Sequence, residues 1–389
     1  MKNKNFILGL IAVMLFIASA FASFAFFSNS SFAKKAIPST LPKVTSNGSL
    51  VFDQTLPKTE PCPINGALYS KQQRTWWEKH RPLGVMIENS TDARPQSGIS
   101  FADVTYEAMA EGGITRFLNI FYCQDAPEVG PVRSARTVFV NLVSEYGNSP
   151  LYAHVGGANT PGPADALGQI SQYSWDSYND LNQFSIGFPT YWRDYDRLGR
   201  TVATEHTMYS TTTKLWDFAK SNRNVTNTDK EGLVWNSTFV PYQFKDDAAL
   251  SVRPASQTIH EEFGNGGSDY FVDWTYDAKT NLYKRANGGV AHIDLDTKKQ
   301  LTAKTMVVLY EYITNANDGY ENNLHLIYSD KGTGKAIVFM DGKEMKATWK
   351  KANRTSRTLL YDTSGSPILL NRGKIWFTIL PLDGLLSVK

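Results

Sequence analysis

An uncharged apolar run of 22 residues, Phe6 to Phe27, constrains this chain more than any other feature. At about 1.5 Å per residue, a helix of that length spans the roughly 30 Å hydrocarbon core of a bilayer. Lys2 and Lys4 precede the run and Lys34 and Lys35 follow it, the pattern of a secretory signal, a membrane anchor, or both. Basic residues on both flanks leave the orientation open. Small-residue cleavage sites occur at Ala20-Phe21-Ala22 and at Ser31-Phe32-Ala33. Residues 1–35 are therefore read as a signal or membrane anchor, with the rest of the chain exported. No cysteine lies in the run, so the protein is expected to be secreted or held at the outer face of the cytoplasmic membrane, and not lipidated.

Export sets the redox compartment. Cys62 and Cys123 are the only cysteines, and in an oxidising compartment an isolated pair reads most simply as a disulfide. Closing a loop of roughly 60 residues is worth about 4 kcal/mol in the chain-entropy model. Two unpaired buried thiols are the competing reading. Two cysteines and six scattered histidines offer no zinc-type spacing, so no metal is expected.

A chain of 389 residues suggests two folded units at about 150 residues per domain. Its net charge of +3, without a Lys/Arg run or basic helix, argues against nucleic acid as a partner. Residues 36–68, rich in Pro, Ser, Thr and Lys, read as a linker. An α/β or α+β domain is expected over 69–226, followed by a mostly β domain over 227–389, where short alternating strands and turn signals such as Asp341-Gly342 recur. Within the first domain SKQQRTWWEKH reads as a short helix and LGVMIE as a strand ending at Glu88. ADVTYEAM and ITRFLNIFYC read as a hairpin joined at Gly112-Gly113, with Asp103, Thr105, Glu107, Met109 and Glu111 on one face and Arg116 beside Met109 and diagonal to Glu107 and Glu111, so that Arg116 reads as paired within the protein. A helix over Phe101–Glu111, capped by Ser100, is the rival reading of the first of these two strands.

Residues 83–157 hold four arginines among strands and glycine turns. Ala135, Val138, Phe139, Leu142, Val143 and Tyr146 recur at helical spacing after GPVRSAR, with Ser134 as cap and Gly147 as stop. Arg133 and Arg136 then crowd the positive end of a helix, and something negative must balance them. Either an anionic ligand does so, or the chain's own Glu88, Asp92, Glu107 and Glu111. Arg94 lies in the loop beyond the first strand, Asp103 opens the next, and His154 precedes Gly156-Gly157, where a backbone can approach a ligand. The candidate anion site is therefore Arg94, Arg133, Arg136, Glu88, Asp103 and His154. Arg193, Arg197, Arg200 and His206 offer a second wall or a solvated face.

MIENSTDARPQSGISFADVTYEAMAEGGITRF, with VGPVRSAR and YAHVGG, resembles the N-terminal domain of the YerB-like family of bacterial envelope proteins. GGVAHIDLDTKKQLTAKTMVVL, GTGKAIVFMDGKEMKATWKK and GKIWFTILP resemble its C-terminal domain. The resemblance covers roughly residues 80–382 and implies an exported, often lipid-anchored protein with no settled biochemical activity; the missing signal-peptide cysteine departs from the lipid-anchored members. The order of acidic strand end, arginine loop, aspartate, arginine pair and Y-x-x-x-GG also loosely resembles the LytR-CpsA-Psr proteins. That likeness implies Arg94, Arg133 and Arg136 as a pyrophosphate clamp, with Asp103 or Glu88 as base or holder of a divalent metal. No G-x-S-x-G elbow occurs, which disfavours a serine hydrolase. The reading is an envelope binding or accessory protein with an arginine-lined cleft for an anionic cell-wall or lipid-linked ligand, touching the bacterial membrane through its N-terminal helix. The alternative is an enzyme acting on polyprenyl pyrophosphate or wall glycopolymer, and no cofactor is expected outside that alternative.

Overall fold

The computed structural model describes residues 2–29, 42–44, 50–264 and 267–389. The chain divides into two compact units, Met1–Leu41 and Pro42–Lys389. In the first, Lys2–Asn29 is helical, and Val13, Leu15, Phe16, Phe21 and Phe24 are exposed. Among the described residues no helix is long and apolar enough to cross a membrane, so the spanning segment expected over Phe6 to Phe27 is not shown. The stretch read as a linker is not one throughout. Most of 36–49 lies outside the described residues, but Phe52, Cys62 and Ile64 are buried in the larger unit, and Lys58–Pro61 pairs with Leu68–Ser70.

The larger unit is mixed α/β and largely β, built on a ten-stranded sheet. Its strands, in spatial order, are Leu359–Asp362, Lys343–Lys351, Gly332–Met340, Thr305–Glu311, Ile375–Pro381, Val104–Met109, Thr115–Phe121, Leu83–Glu88, Leu151–His154 and Asp180–Asn182. The first five belong to the C-terminal domain and the last five to the N-terminal one. They meet where Ile375–Pro381 runs parallel to Val104–Met109, with Trp376 opposite Thr105. The two domains thus share one sheet. Its central strands are buried along their whole length, because both faces are covered, which is why they read as near-continuous apolar runs rather than alternating ones. On one face Met86, Leu118 and Ile120 pack with Phe139, Leu142 and Tyr146. On the other, Val85, Phe117 and Trp376 pack with Trp274 and Tyr283, which stand on a smaller antiparallel sheet of the C-terminal domain.

Two local expectations shift by small, consequential amounts. The hairpin forms, but its turn takes the five residues 110–114: Glu111–Gly113 is a 3-10 turn, closed by Ala110 N–H to the Ile114 carbonyl at 2.8 Å. Positive φ at Gly112 and Gly113 permits this path. Thr115 therefore faces Met109 and Arg116 faces Ala108, so Arg116 does not stand beside Met109 and turns away from Glu107. The helix expected from GPVRSAR is only Thr137–Val143, with Arg136 at its N-cap and no side-chain cap. It starts late because Val132 and Arg133 are held as an added strand: Arg133 N–H donates to the Met86 carbonyl at 3.0 Å and Val132 bridges Ile87. Ser134 is not the cap, and the positive end of a helix does not carry the site.

Candidate functional site

The end of the Leu83–Glu88 strand and the start of the Thr115–Phe121 strand bring Glu88 opposite Arg116. The added strand delivers Arg133, and the N-cap position of the following helix delivers Arg136. The 3-10 turn between the hairpin strands supplies Glu111. Arg136 holds Glu111 with two donors, Nε to Oε1 and Nη2 to Oε2, the latter at 2.8 Å. Arg116 Nη2 donates to the same Oε2 at 3.1 Å. Arg133 Nε lies 3.4 Å from Glu88 Oε1, and the other Glu88 oxygen meets His206 Nδ1 at 2.8 Å.

Three guanidiniums against two carboxylates leave one positive charge before His206 is counted. Glu205 adds a carboxylate felt by Arg133 and His206, but it is exposed and largely screened by water. Arg116 has a side chain 9% exposed, and among the described residues its Nε and Nη1 have no hydrogen-bond partner; nor does Arg133 Nε, whose approach to Glu88 lacks hydrogen-bond geometry. Each such buried N–H left unmade costs about 1–3 kcal/mol. Arg133 is the most exposed of the three guanidiniums, its side chain 25% open to solvent.

The electrostatics follow from this crowding. Burial and the neighbouring Arg136 charge bring Arg116 down to about 10, against the pull of Glu111. Burial opposes the charged Glu111, yet Arg116 and the Arg136 hydrogen bond offset it and hold the carboxyl down at about 2. The hydrogen bond to Glu88 raises His206 despite its burial.

Of the residues singled out in the sequence, Arg133, Arg136 and Glu88 come together here, and Arg94, Asp103 and His154 do not join them. Arg94 donates to the Asn89 carbonyl at 2.9 Å and the Asp269 carbonyl at 2.8 Å and covers the Tyr270 ring; it latches the two domains. Asp103 is fully buried beneath the Cys62–Cys123 disulfide. It accepts the N–H groups of Tyr122 and Cys123 at 2.8 and 2.9 Å and the Asn65 amide at 2.9 Å, while burial pushes it up to about 7. His154 is satisfied at both ring nitrogens, by Asp180 Oδ1 at 2.6 Å and the Gly156 carbonyl at 2.7 Å. Of the second wall, His206 joins the site at Glu88, whereas Arg197 is engaged with Glu128 at 3.0 Å and with Asp296, and Arg200 with the Asp92 carbonyl at 2.9 Å.

Arg116 is the residue sequence reasoning undervalued, since it reads as internally paired and proves only partly so. Glu111 is visible as one carboxylate among several. His206, 118 positions from Glu88, carries no local signal of its role. Cys62, Asp103 and Cys123 group like metal ligands, but the two sulfurs are bonded to each other, leaving a single carboxylate already taken by three donors. A pyrophosphate clamp with Asp103 as metal holder therefore does not assemble.

Residues 69–226 match the family described as "Protein of unknown function (DUF3048) N-terminal domain", and residues 262–377 match "Protein of unknown function (DUF3048) C-terminal domain". The chain is 28% identical over 330 residues to "Putative lipoprotein YerB" of Bacillus subtilis strain 168, covering 82% of this chain and 86% of the relative. The crystal structure of YerB protein from Bacillus subtilis is similar with a TM-score of 0.67 at 26% identity, covering 85% of this chain and 100% of that one. The expectation that the chain is not lipidated is overturned by this likeness, since the relative is described as a lipoprotein.

Proposed function

Because this chain belongs to the YerB-like family, built of the N- and C-terminal DUF3048 domains, we propose that it is an extracytoplasmic cell-envelope binding or accessory protein whose arginine cluster takes an anionic ligand. The ligand is a phosphorylated or carboxylated wall component, held by Arg116 and Arg133, with Arg136 and Glu111 fixing the frame. One observation carries this reading: the buried Nε and Nη1 of Arg116 and the Nε of Arg133 have no hydrogen-bond partner among the described residues. A phosphate or carboxylate oxygen suits the planar fork of a guanidinium and gains from partial desolvation. Binding is favoured over catalysis because the two candidates for a base are occupied, Glu88 by His206 and Arg133 and Asp103 by its three N–H donors.

A thermal-shift titration tests it. Pyrophosphate or an anionic wall fragment at about 100 times its Kd stabilises by about 2.7 kcal/mol, a rise of about 4 °C for a unit of this size. Arg133→Ala and Arg116→Met are expected to lose the rise. Equal shifts in wild type and both variants overturn the reading.

A further inference from the structure

A cavity of about 740 Å³ opens between the segment following the Thr137–Val143 helix, the Tyr173–Trp175 turn, and the stretch Lys350 to Leu359 of the C-terminal domain. That volume lies within the range of about 300–1,000 Å³ usual for small-molecule sites. Lys350, Arg354 and Arg357 line it, and none of its lining residues is Asp or Glu. The Arg354 guanidinium stacks 3.7 Å above the Tyr173 ring and donates to Ser144 Oγ at 2.7 Å. Lys350 Nζ covers the Tyr361 ring at 4.8 Å.

Arg357 supplies an independent observation. It is 4% exposed, with the Tyr146 and Tyr242 rings 4.5 and 4.4 Å from its guanidinium centre, but unlike a sealed cation it lines the cavity, and its Nε and Nη2 have no hydrogen-bond partner among the described residues. Its Nη1 reaches only Tyr106 Oη at 3.3 Å and Glu145 Oε2 at 3.4 Å. Glu145 also binds Lys351 Nζ at 2.6 Å, so Arg357 shares its one carboxylate partner with a second buried cation.

We propose that this cavity is a second, separate binding site, specific for a short anionic sugar bearing phosphate or carboxylate. The apolar face of a sugar ring packs on the edges and remaining surface of Tyr173, Trp175 and Tyr361 beside the cations that cover them. Lys350, Arg354 and Arg357 take the anionic substituent, and Ser149, Thr355 and Ser356 meet the hydroxyls. Excess positive charge without a lining carboxylate selects against neutral glycans.

Titration calorimetry on the whole protein tests this with three probes: a glycerol-phosphate oligomer, a uronic-acid oligosaccharide and neutral chitotetraose. At least one anionic probe is expected to bind at least tenfold more tightly than chitotetraose, and the stronger of the two anionic probes identifies phosphate or carboxylate as the natural group. Arg354→Gln and Lys350→Gln, both at the solvent side, each weaken the binding phase assigned to the cavity at least threefold, whereas Arg116→Met removes only the separate phase of the arginine cluster. Equal affinity for neutral and anionic probes, no binding of either anionic probe, unchanged binding in Arg354→Gln, or loss confined to Arg116→Met overturns the proposal, and the last outcome moves the ligand to the arginine cluster.

Discussion

Arg285 and Arg116 are buried guanidiniums packed against the same hairpin, and they meet very different company. Arg285 is fully buried and donates to both oxygens of Glu107, at 2.8 and 2.7 Å, with His292 Nδ1 as a further partner. Phe117, Trp274 and Trp376 surround it with ring faces 5.4, 5.8 and 4.9 Å from its centre. Burial, then the Arg285 charge, hold His292 far below its usual range, so it stays neutral and accepts. Its Nε2 continues to Gln96 Oε1 at 2.6 Å. One cation and one carboxylate thus close a joint between the domains; the unpartnered Arg285 Nε lies in that aromatic cage, without access to a solute. Around Arg116 three cations share two carboxylates, three donors have no hydrogen-bond partner among the described residues, and Arg133 is partly exposed. A balanced, sealed centre serves the fold, whereas the unbalanced, partly exposed one is the centre proposed to take a guest.

The largest expected effect breaks the joint. Arg285→Met leaves Glu107 buried without its cation and is expected to cost about 3–5 kcal/mol, with much of the loss restored in Arg285→Met/Glu107→Leu. Chemical denaturation measures both, and a loss under about 1 kcal/mol would erase the distinction drawn between the two centres. Replacing Cys62 and Cys123 together by serine is expected to cost about 2–4 kcal/mol and to loosen the strand end held by Asp103, read as faster hydrogen exchange at Tyr122 and Cys123. Arg116→Met, without ligand, is expected to change stability by no more than about 1 kcal/mol, because Glu111 keeps Arg136 and a crowded cation is removed. The same denaturation curves check it, and a cost like that of Arg285→Met would make Arg116 a structural residue.

The smallest effect is in pH. His206 has a folded value raised by Glu88, so the stability from that pair is fully present below the unfolded value of about 6.5 and is lost as pH rises through the folded one. The same proton adds positive charge beside Arg133, with Glu88 and Glu205 as the facing acids. Anion affinity is therefore expected to be on the order of threefold higher at pH 6 than at pH 9, and His206→Gln is expected to flatten the profile. An unchanged slope in that variant removes His206 from the site.

The parts of the molecule legible in the sequence are those set by local pattern. The cysteine pair is bonded, LGVMIE and the hairpin strands form where their apolar runs lie, and Ser70 closes a capping box on the helix Lys71–Trp77. What escaped depends on turn length and distant partners. One extra residue in the hairpin turn moved Arg116 off the face of Glu107, and pairing with Met86 and Ile87 delayed the helix after Arg133. Glu107 finds Arg285 across 178 positions, and no periodicity in either segment announces that pairing. The cluster of Arg133, Arg136 and Glu88 was legible as charge without visible balance; that Arg94 and His154 are satisfied elsewhere follows from carbonyls that only the folded backbone places.

Titration calorimetry with pyrophosphate, comparing wild type with Arg116→Met at matched salt, addresses the central claim most directly. Saturable one-site binding in the wild type, weakened at least tenfold in the variant at unchanged Tm, is the predicted result. Identical isotherms for the two proteins would mean that the unpartnered guanidinium donors have no guest, and would contradict the account.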